Sequence, residues 1–152
     1  MLNPEELSAL YLSAKVAGFA TFFCLPFAIA LAWLLARYEF RFKFMVEALL
    51  QMPMVLPPVV LGYLLLILFG TNGWLGQYLN QFGIQMVFNW KGAVLASMVV
   101  AFPLMVQPIR LSFQMINQQL EQVAGSLGAS PLYVFCSISL PLALPGILIG
   151  SI

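Results

Sequence analysis

VAGFATFFCLPFAIALAWLLA, residues 16–36, carries no charge over 21 positions. As a helix rising about 1.5 Å per residue it reaches about 31 Å, which matches a bilayer hydrocarbon core of about 30 Å. Pro26 within it predicts a kink rather than an end, because lipid offers the backbone no better hydrogen-bonding partner than its own helix. The whole chain agrees with this reading. Of its 152 residues 62% are hydrophobic and 7% charged, against roughly 25% charged in an average soluble domain. The fold class is therefore all-α, a polytopic transmembrane helical bundle.

Upstream of that stretch stands Met1-Leu2-Asn3-Pro4-Glu5-Glu6, acidic where a signal peptide is basic. The apolar segment behind it is longer than an h-region of about 7 to 15 residues. It is expected to stay attached as a first span over about residues 10–36. Downstream, Arg37-Tyr38-Glu39-Phe40-Arg41-Phe42-Lys43 holds three of the six basic residues in a short loop. A second charge-free run follows over residues 48–69, and Pro53, Pro57 and Pro58 predict an irregular or re-entrant entry buried against protein. Residues 71–91 form a linker rich in Gly and Asn, with Trp74, Tyr78 and Trp90 placed as boundary aromatics. Leu75, Leu79 and Phe82 recur at helical spacing there, as in a short surface helix. Residues 92–110 form a third span. From Pro141 the chain turns apolar again, but residues 140–152 reach only about 20 Å as helix, so an incomplete fourth span over 141–152 is expected.

Composition also excludes functions. The chain has no His and no Asp, and Cys24 and Cys136 stand far apart without metal-ligand spacing, so neither a metal site nor a cofactor is expected. The five glutamates, at 5, 6, 39, 47 and 121, never cluster in an apolar segment, which leaves no acid-base pair for catalysis. Six scattered basic residues give no stripe for nucleic acid. No GxxxxGK[ST] is present to cradle ATP phosphates. A channel or secondary carrier would need an ion site within the membrane, and the spans lack charge suited to one. Met52, Met54, Met98 and Met105 read as packing residues.

Basic residues favour the cytoplasmic side of short loops. With the N-terminus periplasmic, Arg37, Arg41, Lys43 and Arg110 lie inside and Lys15 and Lys91 outside, four against two. That orientation puts the segment 117–140 in the cytoplasm. Its local chemistry predicts a helix over residues 117–127 and a left-handed exit at Gly128. Ser130-Pro131 then reads as an N-cap and first helical residue of a second helix that Pro141 stops. Val123, Ala124, Leu127, Leu132, Val134, Phe135 and Ile138 would make its surface apolar. Such a patch marks an interaction site, or else a face laid on lipid or packed against the chain's own spans.

The spacing of Gly128, nine residues, then Ile138-Ser139-Leu140-Pro141 resembles the cytoplasmic signature of permease subunits of bacterial ABC importers, E-A-A, three residues, G, nine residues, I-x-L-P. Gln122-Val123-Ala124 stand in the E-A-A register, and Glu121 lies one residue early. QMPMVLPPVVLGYLLLILFG, NWKGAVLASMVVAFPLMVQPIRLSF and LGASPLYVFCSISLPLALPGILIG narrow the likeness to the molybdate, sulfate and tungstate permeases, over nearly the whole chain. The resemblance implies a type I importer permease, C-terminally shortened, in the bacterial inner membrane. It implies a second permease copy, an ABC ATPase subunit on the cytoplasmic side and a periplasmic oxyanion-binding protein. Coupling to the ATPase would fall to Glu121, Gln122, Val123, Ala124, Gly128, Pro131, Ile138, Leu140 and Pro141, with Pro141 marking where the fourth span begins. Pro57, Pro58 and Gly62 are candidates for the pathway or its gate, or else for kinks that help spans pack. Sulfate or tungstate in place of molybdate, and a shortened scaffold that docks without transporting, are the alternatives.

Overall fold

A computed structural model describes residues 4–70, 73–81 and 89–152. Every regular element among them is helical. In chain order these are α1 (Pro4–Arg37), α2 (Lys43–Val55), α3 (Pro58–Phe69), α4 (Trp74–Gln81), α5 (Trp90–Met115), α6 (Gln118–Ser126), α7 (Pro131–Val134), a π-helical turn (Phe135–Ser139), α8 (Leu140–Leu142) and α9 (Leu144–Ser151). Both α1 and α5 are long and apolar enough to cross a membrane. Two bent pairs have the composition of broken spans: α2 with α3, bent by 111°, and the run Pro131–Leu142 with α9, bent by 65°. The chain is a membrane protein.

Proline chemistry explains where the helices break and where they do not. Pro26 lies inside α1, and Pro103 and Pro108 lie inside α5, with the helix running through each. Pro57 sits outside α3 at φ −56° and ψ 140°, and Pro58 opens the helix. This arrangement suits residues with a fixed φ and no N–H to donate. A short helix stands where one was expected, α4; Phe82 lies outside the described residues. The helix that holds the expected third span, 92–110, runs further: α5 continues past Arg110 to Met115. Its end is set by Asn117, whose side chain caps α6.

The chain divides into two compact units. The first takes residues up to Cys24 together with Glu47–Phe102. Within it the Cys24 thiol donates to the Met98 carbonyl at 3.7 Å, Phe19 packs on Trp90 at 5.7 Å between centroids, and Lys15 Nζ lies 4.3 Å from the centre of the Trp90 ring. A cavity of about 520 Å³ is lined by Leu12, Gly62, Leu66, Phe69, Trp90 and Ala93.

The second unit takes Leu25–Val46 and Pro103–Ile152. Its α1 portion buries Ala28, Ala32 and Leu35, and its α5 portion buries Val106, Ile109 and Phe113. Both sets follow the i, i+3, i+4, i+7 spacing that gathers side chains on one helix face. Gly146 and Gly150 bring α9 against α5. A Cβ on Gly146 would lie 2.6 Å from the Pro108 carbonyl oxygen, and one on Gly150 would lie 2.9 Å from that of Met105. Two glycines four residues apart give the small-residue approach that lets helices in lipid pack backbone to backbone.

Candidate docking and coupling site

The segment 117–140 folds from local instructions. Asn117 Oδ1 accepts from the Gln119 N–H at 3.0 Å and opens α6. At the other end Gly128 takes φ 88°. The Ala129 N–H reaches the Ala124 carbonyl at 3.1 Å, and the Gly128 N–H reaches the Gly125 carbonyl at 3.0 Å. These two bonds make a Schellman motif, which satisfies carbonyls the helix would otherwise leave open. Ser130 Oγ then accepts from the Tyr133 N–H at 3.3 Å, and Pro131 opens α7. Two helices meet at a corner fixed by backbone bonds on one side and a side-chain cap on the other.

Beyond α7 the helix runs further than the sequence predicts. Pro141 does not stop the helix; it lies in α8, and the bend comes at Ala143. Before it, the Leu140 N–H bonds to the Phe135 carbonyl, five residues back, as the π turn requires. A proline ring presses on the carbonyl four residues earlier and supplies no N–H. The wider turn relieves that crowding while the chain stays helical.

Of the residues expected at the surface, Val123, Leu127 and Leu132 are exposed, Leu127 at 82% and Leu132 at 77%. Leu120 and Tyr133 join them. Val134 is buried, and Phe135 stacks on Phe113 at 6.2 Å and meets Trp33 edge-on at 5.2 Å. Apolar residues of the segment thus split into an inward set that holds it and an outward set without cover. Gln122, Gly128 and Pro131 are exposed with the latter, while Ala124, Ile138 and Leu140 are half-buried.

Glu121 points inward. Its Oε1 accepts from Arg37 Nη2 at 2.7 Å, from Arg37 Nε at 3.2 Å and from Ser139 Oγ at 2.6 Å. The Arg37 side chain is 7% exposed and that of Glu121 20%. Both charges suit their helices, with Arg37 in the last turn of α1 and Glu121 in the first turn of α6. Trp33, Tyr38, Gly125 and Phe135 join Glu121 and Ser139 around a cavity of about 240 Å³. Arg37 and Ser139 were absent from the expected site. One signal pointed to a cationic partner without singling out Arg37, because Glu121 is the only charge after Arg110 and a carboxylate among apolar neighbours needs a cation. Ser139 occupies the unspecified position of I-x-L-P and gave none.

The other expected residues lie in the first unit. Pro57 and Pro58 form the α2/α3 break, and Gly62 borders the larger cavity with open space where a Cβ would stand. Among the described residues no group of three His, Cys, Asp or Glu is placed to hold a metal ion.

Residues 25–152 match the family described as binding-protein-dependent transport system inner membrane component. The chain is 54% identical over 146 residues to the molybdenum transport system permease protein ModB of Haemophilus influenzae, covering 95% of this chain and 64% of that protein. Against the Escherichia coli K12 protein of the same name it is 48% identical over 153 residues, covering 100% of this chain and 67% of that protein. A probable sulfate transport system permease protein, cysT of Anthoceros angustus, is 35% identical over 149 residues, covering 98% and 52%. The chain spans about two thirds or less of the length of these relatives. With its apolar helices and a match running from the middle of α1 to Ile152, the chain belongs to the binding-protein-dependent transport system inner membrane components, a family of transport permeases.

Proposed function

We propose that the chain is the permease subunit of an ATP-driven importer that moves molybdate across the bacterial inner membrane. An ABC ATPase subunit docks on its segment 117–140, and a periplasmic binding protein delivers the oxyanion. The observation that carries the docking is the corner at Gly128: a helix pair fixed by the Schellman bonds and the Ser130 cap, with Val123, Leu127 and Leu132 turned outward. An apolar tip on so fixed a corner is suited to a groove on another protein. Gly128, Ile138, Leu140 and Pro141 stand at the spacing of the importer signature, which favours the ATPase as occupant. Glu121 belongs to the segment but serves it from within.

Molybdate is favoured over sulfate by the names and identities of the relatives, 54% and 48% against 35%. A second copy of the permease completes the pathway, with Pro57, Pro58 and Gly62 as pathway or gate residues; the open space beside Gly62 supports that role. The N-terminus is periplasmic, on the count of basic residues.

The test is co-purification. The tagged chain is expressed in the membrane with the importer's ATPase subunit, with and without Gly128→Trp. Recovery of the ATPase that disappears with the substitution is the expected result; equal recovery from both chains removes Gly128 from the docking surface, and none from either removes the docking reading. Uptake of labelled molybdate by the assembled importer, competed by tungstate but not by excess sulfate, then tests the substrate. Uptake of labelled sulfate in its place moves the assignment to the sulfate permeases. Docking without uptake of either leaves the scaffold.

A further inference from the structure

Glu121 is 84 positions away from Arg37 in the chain, so movement of α6 reaches the end of α1 only through non-covalent contact. Among the described residues, contacts of two kinds join the segment 117–140 to that end of α1. One is the aromatic edge of Trp33 on Phe135, which tolerates sliding and rotation. The other is the set of hydrogen bonds on Glu121 Oε1, which does not. Two N–H groups of one planar guanidinium, at 2.7 and 3.2 Å on the same oxygen, restrict direction as well as distance. The Ser139 hydroxyl at 2.6 Å ties the π turn to the same atom. With side-chain exposures of 7% and 20%, the pair is largely shielded from solvent screening.

Charges are a costly way merely to hold helices together. Apolar side chains of similar volume hold a buried contact as well or better, because no ion then has to leave water. A charged tie has the different property of being directional and two-state: it is made, or it is broken with a penalty. We infer that Arg37, Glu121 and Ser139 form a latch through which a displacement of the docking segment moves the end of α1. Arg37 and Ser139 are positioning residues for coupling. The latch rests on the docking reading above and adds which span receives the push.

The experiment uses the assembled importer in proteoliposomes. ATP hydrolysis is measured with and without molybdate-loaded binding protein, and the ATPase retained on the tagged permease is quantified in the same samples. With Arg37→Met, the retained ATPase is expected to be unchanged while the stimulated-to-basal ratio of hydrolysis falls at least about fivefold. Arg37→Lys recovers part of the ratio, and the reversed pair Arg37→Glu with Glu121→Arg recovers most of it. Ser139→Ala, a mild change, lowers the ratio in the same direction and reads the latch should Arg37→Met fail to reach the membrane. A ratio held within about twofold in Arg37→Met, or in Ser139→Ala where that variant stands in, overturns the latch while the bound ATPase leaves the docking reading in place. Absence of the ATPase from the unsubstituted chain overturns docking, and the latch with it.

Discussion

Gly128 separates two requirements that a turn glycine usually combines. Its φ of 88° lies where side chains are strained, yet nothing stands within 4 Å of where its Cβ would be. Gly128→Val is therefore expected to lower stability by about 1–2 kcal/mol, and Gly128→Asn by clearly less, because asparagine visits this region readily. Unfolding of the purified chain in mixed detergent measures both, and equal losses would mean that volume rather than φ governs the corner. This residue was legible in the sequence, as were Ser130 and Pro131, because each acts through bonds to its chain neighbours. Arg37 was visible only as one of several basic residues at the end of a span. Its role depends on a contact across 84 positions that no local pattern records.

The elements divide in the same way. The Ser130 cap was readable, and Ser130→Ala should cost about 1 kcal/mol by freeing the first turn of α7. The GILIG stretch at 146–150 shows the spacing of a close helix contact, but the partner it meets, Pro108 and Met105 on α5, appears only in the fold. Gly146→Ala should destabilise by about 1–3 kcal/mol, since the added methyl meets a backbone carbonyl that cannot swing aside. Gly18→Ala makes the matched control: α1 leaves open space there, and alanine suits a helix better by up to about 1 kcal/mol. Comparable losses at both sites in the same unfolding assay would remove close packing as the explanation. Pro141 is where sequence rules misled, because a proline after an apolar run reads as a stop. In the fold the turn before it widens and the helix continues.

For the whole molecule, composition was enough to assign a membrane protein built of helices, since a chain so poor in charge has few other folds open to it. Sidedness rests on less, namely the count of basic residues, and Cys136 provides its test. It is exposed in the docking segment, whereas Cys24 is buried. A membrane-impermeant maleimide should label Cys136 in inverted vesicles and not in spheroplasts, and should leave Cys24 unlabelled in both. Labelling of Cys136 from the periplasmic face would take the segment away from any ATPase. The π turn, finally, bears on how long this chain has to be. A turn holding one residue more than its flanks is a place where a residue can be removed without rotating the helix beyond it, whereas a deletion at Leu111 turns the rest of α5 by about 100°. Loss of Ser137 is expected to leave Ser139 facing Glu121 but to press Pro141 into an ordinary turn, a cost that Pro141→Ala should lower. The extra residue and the proline are thus expected to be removed at less cost together than the residue is alone.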